Sequence, residues 1–286
     1  MNYNICVIQP KGYPHSAAFA ELAESICYSL RELGYDAQLR CNKLDSDGTN
    51  ILIGCHLLDT TFIGKFPKST IVFNTEQIYN DTTRWNKIIF EWVRNFPAWD
   101  YSERNIEKFH ELGLTQVRHF CLGFQKELVR VKKSIPQDID IVFYGCVNER
   151  RKKALEALKA AGYNVQALFS VYGKKRDEFI ARSKIVLNLH MYNSQIFEIV
   201  RVYYLMINSK AVVAEVNPTT HIDPCYLSGI CAAGYDDLTA ACGKLLQNED
   251  LRLQLESRAF QTIQALPQAE FTRAVLSPPG HDLPRR

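Results

Sequence analysis

The chain has 286 residues and a net charge of +3 at pH 7, and its composition, 47% hydrophobic and 23% charged, is that of a globular protein with a sizeable core. This length suits two domains of about 130–150 residues each rather than one. The basic residues are dispersed, which argues against a nucleic-acid partner, and no apolar run approaches the roughly 18–20 residues of a membrane span.

The first half of the chain alternates predicted strands and helices. A short apolar run at residues 4–8 predicts a buried strand, and the pattern of residues 17–33 predicts a helix that Ser16 caps and Gly34 ends. Further strands are predicted at 35–40, 51–58 and 69–75 and a further helix at 85–96, and residues 117–124 close this half. This alternation is typical of a mostly parallel sheet with helices on both faces.

The second half repeats the alternation after a polar segment, residues 126–138, that predicts a linker. Two Rossmann-like domains that face each other across a cleft are therefore expected, the N-terminal one at residues 1–130 and the C-terminal one at 138–270. The tail, 277–286, contains three prolines and predicts a loop. The predicted strands are 140–145, 164–170, 184–190 and 211–216, and the predicted helices are 148–161, 174–183, 196–206, 238–247 and 249–263.

Nine cysteines form an odd, scattered set without a C-x-x-C pair, which predicts buried reduced thiols in a cytosolic protein. The first residues predict a buried strand and lack the features of a signal peptide, so a cytoplasmic location is expected, with room for a peripheral membrane contact. Cys225 and Cys231 have no partner at zinc-ligand spacing, and Asp45 and Asp47 lie in a turn sequence, so no metal site is expected.

In an open parallel sheet, ligands bind at the carboxyl ends of the strands, where loops and helix N-termini converge. Gly145 permits a close backbone approach after a strand, and the helix start near Asn148 favours an anion such as pyrophosphate through its free N–H groups and its dipole. Arg150 and Arg151 add guanidinium groups that suit phosphate oxygens, or else they coat a solvated helix face. The same rule also selects residues 190–195 and 215–218.

The segment from His190 to Glu198 is the more informative one. A strand is predicted to end on His190, and Glu198 falls in the first turn of the next predicted helix, so both side chains are expected to face one cleft. A carboxylate here could accept two hydrogen bonds from a ribose diol, or it is a helix-start glutamate that the dipole stabilises. Arg201, one turn later, could pair with Glu198 or reach a phosphate. Candidate substrate contacts in the loop are Tyr192, Asn193, Ser194 and Phe197.

Several stretches, in their order and spacing, resemble one family. They are IVFYGCVNERRKKALEALKAAG, VYGKKRDEFIARSKIVLNLHMYNSQIFEIVRVYYLMINSKAVVAE and LLQNEDLRLQLESRAF in the second half, and STIVFNTEQI, WDYSERNIEKFHELGL and HFCLGF in the first. They resemble GT-B glycosyltransferases, in particular the bacterial spore-coat-maturation type (glycosyl transferases group 1-like). The resemblance implies an acceptor side in the N-terminal domain and a nucleotide-sugar donor side in the C-terminal domain.

The resemblance also bears on the roles of two residues. Many retaining members of that fold carry Glu-x7-Glu, in which the second glutamate holds the nucleotide ribose and the first lies near the donor sugar. Here the spacing is His190-x7-Glu198, so the resemblance assigns Glu198 the ribose role and leaves both inverting and retaining stereochemistry open. The imidazole at position 190 could hydrogen-bond the donor sugar or phosphate, or it could be a packed histidine at a strand end.

Two residues of the first half are candidates for the catalytic base. In some inverting GT-B enzymes a histidine of this region is the base, so by resemblance His15, in the loop after the first strand, could remove a proton near neutral pH. The alternative for His15 is an exposed loop histidine. Glu76, at the end of the strand predicted at 69–75, is the rival base, or else an ordinary carboxylate at a helix N-terminus.

The expected reaction is transfer of a hexosyl or related sugar from a nucleotide-sugar donor to a glycan, a small molecule or a protein. A helix N-terminus and arginine side chains would stabilise the leaving diphosphate, so neither a metal nor a further cofactor is expected. Two other functions stay open. One is an epimerase or hydrolase of nucleotide sugars with the same fold, which would turn over the donor without an acceptor. The other is a non-catalytic protein that binds sugars or nucleotides.

Overall fold

The computed structural model describes residues 2–78, 83–132, 134 and 136–277, without the side chains of residues 83 and 84. Contacts divide the chain into two compact units. The first consists of the residues up to Gln125 together with the C-terminal segment that begins at Pro267, and the second is Lys126–Leu266. The domain bounds expected from the sequence, 1–130 and 138–270, stay a prediction.

Strands and helices alternate along the chain, as the sequence predicts. The strands are β1 (Asn2–Val7), β2 (Asp36–Cys41), β3 (Thr49–Ile53), β4 (Thr70–Asn74), β5 (Ala98–Asp100), β6 (Val117–His119), β7 (Ile139–Tyr144), β8 (Val165–Leu168), β9 (Ser183–Asn188), β10 (Ala211–Glu215) and β11 (Cys231–Ala233). The α-helices are α1 (Ala20–Glu32), α2 (Thr83–Asn95), α3 (Glu103–Glu111), α4 (Glu149–Ala160), α5 (Gly173–Arg182), α6 (Ile199–Ile207), α7 (Leu238–Gln247), α8 (Glu249–Gln264) and α9 (Gln268–Leu276).

Each unit is built on one parallel sheet. Within the described residues, the first sheet has the strand order β2-β1-β3-β4-β5-β6 and the second has the order β11-β10-β9-β7-β8. Neighbouring strands run parallel in both sheets, with register pairs such as Asn4 with Asn50 and Ile141 with Ile185. The predicted fold class, α/β with two parallel sheets, is therefore confirmed.

The strand order reverses at one place in each sheet. The chain passes from β1 to β2 on one side and then to β3 on the other, and in the same way it passes from β7 to β8 and then to β9. The loops after two such strands leave to opposite faces of the sheet, and the crevice between them is the usual ligand site of open α/β sheets. Ligand sites are therefore expected after β1 and β3 in the first unit, and after β7 and β9 in the second.

The core of each unit consists of strand residues that are buried on both faces. In the second unit, Ile141 and Ile185 on one face of the sheet and Val142 and Val186 on the other are fully buried, as expected for a parallel sheet covered by helices on both sides. In the first unit, Trp92 of α2 is fully buried, and its ring packs edge-on against another aromatic ring and stacks on a second. Truncating such a ring to alanine costs about 3–5 kcal/mol.

The last described helix, α9, packs in the first unit. The buried amide of Gln268 accepts a hydrogen bond from the backbone N–H of Gly123 at 2.7 Å and donates one to the carbonyl of Cys121 at 3.1 Å. The guanidinium of Arg118 donates to the carbonyls of Ala274 and Val275, which lie in the last turn of the helix. These bonds satisfy carbonyl groups that a helix C-terminus leaves without partners inside the helix.

One predicted strand ends earlier than expected. The strand predicted at 51–58 ends at Ile53, because Gly54 takes a left-handed φ of 88° and turns the chain into a short 3-10 helix, Cys55–Leu57. A side chain at position 54 would also meet Phe19 at 3.3 Å and Ile8 at 3.5 Å. The turn therefore depends on glycine for its backbone conformation and for its space.

Two predicted helix starts also differ. Ser16 does not cap α1, since it lies inside a 3-10 helix, Pro14–Phe19, and α1 begins at Ala20. The helix predicted from residue 196 begins at Ile199, which makes Glu198 its N-cap residue rather than a member of its first turn. The tail predicted as a loop lies outside the described residues, apart from Ser277. No α-helix in the described ranges has the length and hydrophobicity to cross a membrane.

Candidate functional site

The predicted site residues of the second unit gather around the crevice between β7 and β9. Gly145 directly follows β7 and has a φ of 132°, in the left-handed half of the map that favours glycine. A Cβ at this position would lie 3.0 Å from a guanidinium nitrogen of Arg201 and 3.8 Å from one of Arg151. The glycine thus leaves room for two guanidinium groups beside the backbone.

Arg151 joins the loops on the two sides of this crevice. Its buried guanidinium donates to the carbonyl of Cys146 after β7 at 2.8 Å, and to the carbonyls of Leu189 and His190 after β9. Burial, together with the charge of Arg201, lowers the pKa of Arg151 to about 10, so the side chain is charged at neutral pH. Sequence reasoning placed Arg151 in the site, and the structure places it beneath the loops, bound to backbone carbonyls.

Asn148 caps the helix that carries Arg151. Its side-chain oxygen accepts a hydrogen bond from the backbone N–H of Arg151 at 2.9 Å, which is the usual N-cap arrangement. Its side-chain nitrogen donates to the carbonyl of Met191 at 2.9 Å. The start of α4 is therefore tied to the loop after β9.

Arg150 forms an ion pair with Glu215 at the end of β10. Both guanidinium Nη atoms bind the two carboxylate oxygens, and the guanidinium lies 3.9 Å from the centre of the Tyr235 ring. Glu215 is fully buried and also accepts hydrogen bonds from the backbone N–H of His190 at 3.1 Å and from the side chain of Asn217 at 2.6 Å. Burial raises the pKa of Glu215, but these partners, Arg150 first, hold it below its ordinary value.

Glu198 lies at the centre of the crevice, with both carboxylate oxygens close to partners. One oxygen lies 3.4 Å from the guanidinium of Arg151, and the other lies 3.1 Å from the side-chain nitrogen of Asn188 and 3.3 Å from Nδ1 of His190. Burial raises the pKa of Glu198, but His190, Arg201 and Arg151 outweigh it and hold the pKa below its ordinary value. An ionised carboxylate has about four acceptor positions, and the hydrogen bonds from Arg151 and Asn188 occupy two of them, so two remain for a ligand.

His190 is buried and has a neighbour at each ring nitrogen. Nδ1 lies 3.3 Å from the Glu198 carboxylate and Nε2 lies 3.0 Å from the hydroxyl of Thr220. The Nδ1 contact does not meet the geometry of a hydrogen bond, and since the O–H of Thr220 donates to Gln195, Nε2 is the donor to the hydroxyl oxygen of Thr220. His190 thus links the end of β9 to the loop after β10 through Thr220, and its two alternative roles stay predictions.

Arg201 is the more accessible of the two arginines beside Gly145. It is half-buried, donates to the side-chain oxygen of Asn188 at 2.8 Å and lies over the rings of Phe143 and Tyr144. Asn188 binds Glu198 with its other end, so one buried amide orients both charged groups. Arg150 and Glu215 neutralise each other. The guanidinium groups of Arg151 and Arg201 therefore have the carboxylate of Glu198 as their common counter-charge.

The loop between His190 and Glu198 is braced against the loop after β10. Gln195 has a φ of 51°, and its side-chain oxygen accepts from Asn217 and from two threonine hydroxyls of that loop. The backbone of Phe197 is bonded to that of His221. Of the predicted loop contacts, Ser194 and Phe197 are buried, Tyr192 is half-buried and Asn193 is exposed, so the last two are the ones that a ligand could reach.

The two predicted base candidates lie on different loops of the first unit. His15 is half-buried in the 3-10 helix after β1, with its ring edge-on to Tyr13 at 5.1 Å. Glu76 follows β4, and its carboxylate lies 3.5 Å from Nε2 of His56, which follows β3. Burial raises the pKa of Glu76 to about 7 and lowers that of His56 to about 4. Glu76 thus has a titratable neighbour and a pKa near neutrality.

Three residues that complete these arrangements were not predicted from the sequence: His56, Asn188 and Thr220. The rule for parallel sheets selected the segment 215–218, which contains Glu215 and ends two residues before Thr220, so a signal existed close to Thr220. His56 lies in the stretch predicted as the second half of a strand, which hid it. Among the described residues, no group of three or more histidine, cysteine, aspartate or glutamate side chains is arranged to hold a metal ion.

Comparison with known sequences finds relatives without an assigned activity. No family model matches the chain. The uncharacterized protein L140 of Acanthamoeba polyphaga mimivirus is 26% identical over 296 residues, which is 96% of this chain and 94% of that protein. Another mimivirus protein, R358, is 29% identical over 159 residues, which is 53% of each chain.

Solved structures are similar over nearly the whole chain. Sucrose-phosphate synthase from Thermosynechococcus elongatus has a TM-score of 0.63 at 11% identity, covering 96% of this chain and 97% of its own. HepE from Anabaena, bound to UDP and glucose, has a TM-score of 0.63 at 10% identity. T4 phage BGT, bound to UDP and Mn²⁺, has a TM-score of 0.60 at 11% identity. Each of these two matches covers 96% of this chain and 98% of the other chain. The chain has the GT-B glycosyltransferase fold, and the likeness to the spore-coat type stays a prediction.

Proposed function

We propose that the protein is a glycosyltransferase that moves a sugar from a nucleoside diphosphate sugar to an acceptor hydroxyl. The observation that carries the proposal is the convergence of Arg151, Arg201 and Glu198 where the strand order of the second sheet reverses. Fold alone does not establish an activity. Charged groups of complementary chemistry at the place where such sheets bind ligands supply the second, independent argument.

The donor diphosphate is assigned to the positive side of this site. Gly145 permits a close backbone approach, the first turn of α4 directs free N–H groups outward, and Arg201 supplies a half-exposed guanidinium. The buried guanidinium of Arg151 adds a second positive charge to the side of the site assigned to the diphosphate. Arg150 is committed to Glu215, so we assign it to holding the β10 end of the site rather than to a phosphate.

The donor nucleoside is assigned to Glu198. A ribose diol presents two O–H donors, and a carboxylate that is kept ionised by neighbouring cations is a suitable acceptor for both. Asn188 donates a hydrogen bond to this carboxylate, and Nδ1 of His190 lies 3.3 Å from it. Asn193 and Tyr192, at the accessible part of the adjoining loop, are assigned to further contacts with the donor.

The first unit supplies the base for the acceptor. The acceptor hydroxyl gives its proton to the Glu76 carboxylate, its oxygen forms the new bond to the anomeric carbon of the sugar, and the bond from that carbon to the diphosphate oxygen breaks. The electron pair leaves with the nucleoside diphosphate, whose negative charge the guanidinium groups stabilise. A pKa near 7 suits a group that must accept a proton near neutral pH.

UDP-glucose is the first donor to test, because HepE and T4 phage BGT were solved with UDP. Release of UDP from UDP-glucose by the full chain, with glycan, small-molecule and water acceptors, measures the activity. Turnover in the presence of EDTA is expected, since fixed cations replace a metal at the diphosphate in this proposal. Nucleotide binding without any release of UDP would favour a binding protein, and full turnover of the donor without an acceptor would favour a hydrolase or epimerase.

Arg201→Gln tests the donor site itself. Loss of a charge-assisted contact with a phosphate costs about 1.5–3 kcal/mol, or about 10–100-fold in affinity for UDP measured by calorimetry. Arg182→Gln is the matched control, because Arg182 is an exposed arginine of the same unit that pairs with Asp138. Equal UDP affinities for the two variants would remove Arg201 from the site.

A further inference from the structure

We infer that His56 is a positioning residue that holds the carboxyl group of Glu76 in place and gives it a hydrogen-bond partner in both of its protonation states. The inference rests on the proposed function, in which Glu76 is the base. It assigns a role to a histidine that the motifs of the sequence did not select.

The turn after β3 places His56 with little freedom. Gly54 turns the chain at a φ of 88°, and a Cβ at this position would lie 3.3 Å from the ring of Phe19 and 3.5 Å from Ile8. The 3-10 helix that follows, Cys55–Leu57, then directs His56 inward, so that its side chain is only 3% exposed. A buried side chain on such a short, constrained turn has a defined position.

Two aromatic rings fix the plane of the imidazole. The ring of His56 lies 6.1 Å from that of Phe19, edge-on at 87°, and 5.3 Å from that of Trp85, at 53°. Nε2 lies 3.5 Å from a carboxylate oxygen of Glu76. This separation is at the outer limit of a hydrogen bond. Apo geometry of this kind can tighten when a ligand binds.

Glu76 is held from the other side by its backbone. Its carbonyl accepts hydrogen bonds from the side chains of Asn74 at 2.8 Å and Asn105 at 2.9 Å, and its N–H donates to Asn74 at 3.2 Å. Asn74 and Asn105 both donate to Asp100, which is fully buried. These hydrogen bonds fix the main chain of Glu76. The orientation of its carboxyl group then depends on a further partner.

The protonation of the cluster suits this role. Burial lowers the pKa of His56 to about 4, so the imidazole is neutral at neutral pH, and burial raises the pKa of Glu76 to about 7. A neutral imidazole can donate to the carboxylate and, in its other tautomer, accept from the carboxylic acid. Burial also raises the pKa of the Cys55 thiol to about 12, so the thiol stays neutral, and it raises the pKa of Asp100 to about 7, in the same range as that of Glu76.

Removal of the N–H donor should therefore make Glu76 harder to ionise. His56→Phe keeps an aromatic ring without a donor, and His56→Gln keeps an amide N–H close to the position of Nε2. The midpoint for ionisation of Glu76 should rise by about one pH unit in the phenylalanine variant. In the glutamine variant it should stay near that of the native protein, a rescue that a merely space-filling role does not predict.

The ionisation can be measured without substrate, from melting temperatures between about pH 5 and pH 9. Three proteins are each compared with the same protein carrying Glu76→Gln: the native protein, His56→Phe and His56→Gln. In each pair, the difference in Tm changes with pH at the point where Glu76 ionises, and this point is the midpoint. Equal midpoints in all three backgrounds would overturn the inference. If His56→Phe does not fold, a shifted midpoint in His56→Leu with an unshifted one in His56→Gln supports the inference, and equal midpoints in those two overturn it.

UDP-glucose turnover provides the second readout. The acidic limb of kcat should move upward with the Tm midpoint in His56→Phe, kcat should fall by about tenfold or more, and the KM for UDP-glucose should stay unchanged because the donor is assigned to the other unit. If the Tm midpoint moves but the acidic limb of the kcat profile does not, Glu76 is not the base, although His56 still acts on Glu76. No release of UDP by the native protein would sink the proposed function, while the Tm measurement still decides the role of His56.

Discussion

Single side chains in this protein act mostly through a neighbour. The carboxylate of Glu198 is the clearest example, because Arg151, Asn188 and His190 all contact it. Its role as a ribose ligand therefore depends on an orientation that other residues impose. Glu215 is similar, since it binds Arg150 and the backbone of His190 together.

Glu198→Gln should weaken UDP binding and lower stability. The amide is a poorer acceptor for a ribose diol and leaves Arg151 without its counter-charge, which corresponds to about 10–100-fold in UDP affinity by calorimetry. Glu178→Gln, at an exposed glutamate of α5, is the control. Unchanged UDP affinity in Glu198→Gln would take the ribose role from this residue.

The pH dependence of stability follows from the same contact. The folded pKa of Glu198 lies below its ordinary value, so the stabilisation is present above that value and is lost as the pH falls through the folded pKa. Acid unfolding should therefore be less steep in Glu198→Gln than in the native protein. Identical acid-unfolding curves by circular dichroism would contradict this expectation.

Arg150→Met should destabilise the protein by about 3–5 kcal/mol, because it leaves the fully buried Glu215 charged and without its partner. Adding Glu215→Gln to that variant should recover part of the loss, since it removes the buried charge. Urea unfolding measures both. A double variant that is less stable than Arg150→Met would show that Glu215 stabilises the fold without its arginine.

At the scale of elements, the turn after β7 determines how closely the guanidinium groups of Arg151 and Arg201 approach the backbone of Gly145. Gly145→Ala forces a side chain into a left-handed conformation and against Arg201 at 3.0 Å. Gly162→Ala is a matched control, because Gly162 also has a positive φ, 88°, but has no atom within 4 Å of an added Cβ. Both should lose about 1–2 kcal/mol of stability from the backbone term, and only Gly145→Ala should also weaken UDP binding.

Helix α9 contributes stability through buried polar bonds rather than through apolar contact alone. Gln268→Ala leaves the N–H of Gly123 and the carbonyl of Cys121 without this partner, at a cost of about 1–3 kcal/mol. Arg273→Ala, at an exposed position on the same helix, should change the unfolding free energy by less than about 0.5 kcal/mol. Equal effects of the two substitutions in urea unfolding would contradict the role of Gln268.

Elements with a long periodic pattern could be predicted from the sequence, and short ones could not. The strands β4, β7 and β9 and the helices α1, α4 and α8 follow the predicted segments closely, because each has an apolar pattern several residues long. The three-residue strands β5, β6 and β11 are too short for a period to be recognised. Their existence depends on pairing with neighbouring strands, which a local pattern does not contain.

At the scale of the whole molecule, the site was predictable as a place and less so as a set of contacts. The sheet rule selected the ends of β7, β9 and β10 because strand order and loop position follow from the alternation of elements. The pairing of Arg150 with Glu215 joins residues 65 positions apart, and the contact of His56 with Glu76 joins two loops. Such pairings depend on tertiary packing, which no spacing in the sequence encodes.

The proposed function requires that the second unit binds a nucleoside diphosphate sugar at this crevice. Thermal unfolding of the full chain with UDP-, GDP-, dTDP- and ADP-linked sugars tests it most directly. A donor present at about 100 times its Kd adds about 2.7 kcal/mol to the free energy of unfolding, which raises Tm measurably. A rise in Tm with at least one of these donors, lost in Arg201→Gln and kept in Arg182→Gln, is the predicted result. An unchanged Tm with all of them would contradict the claim.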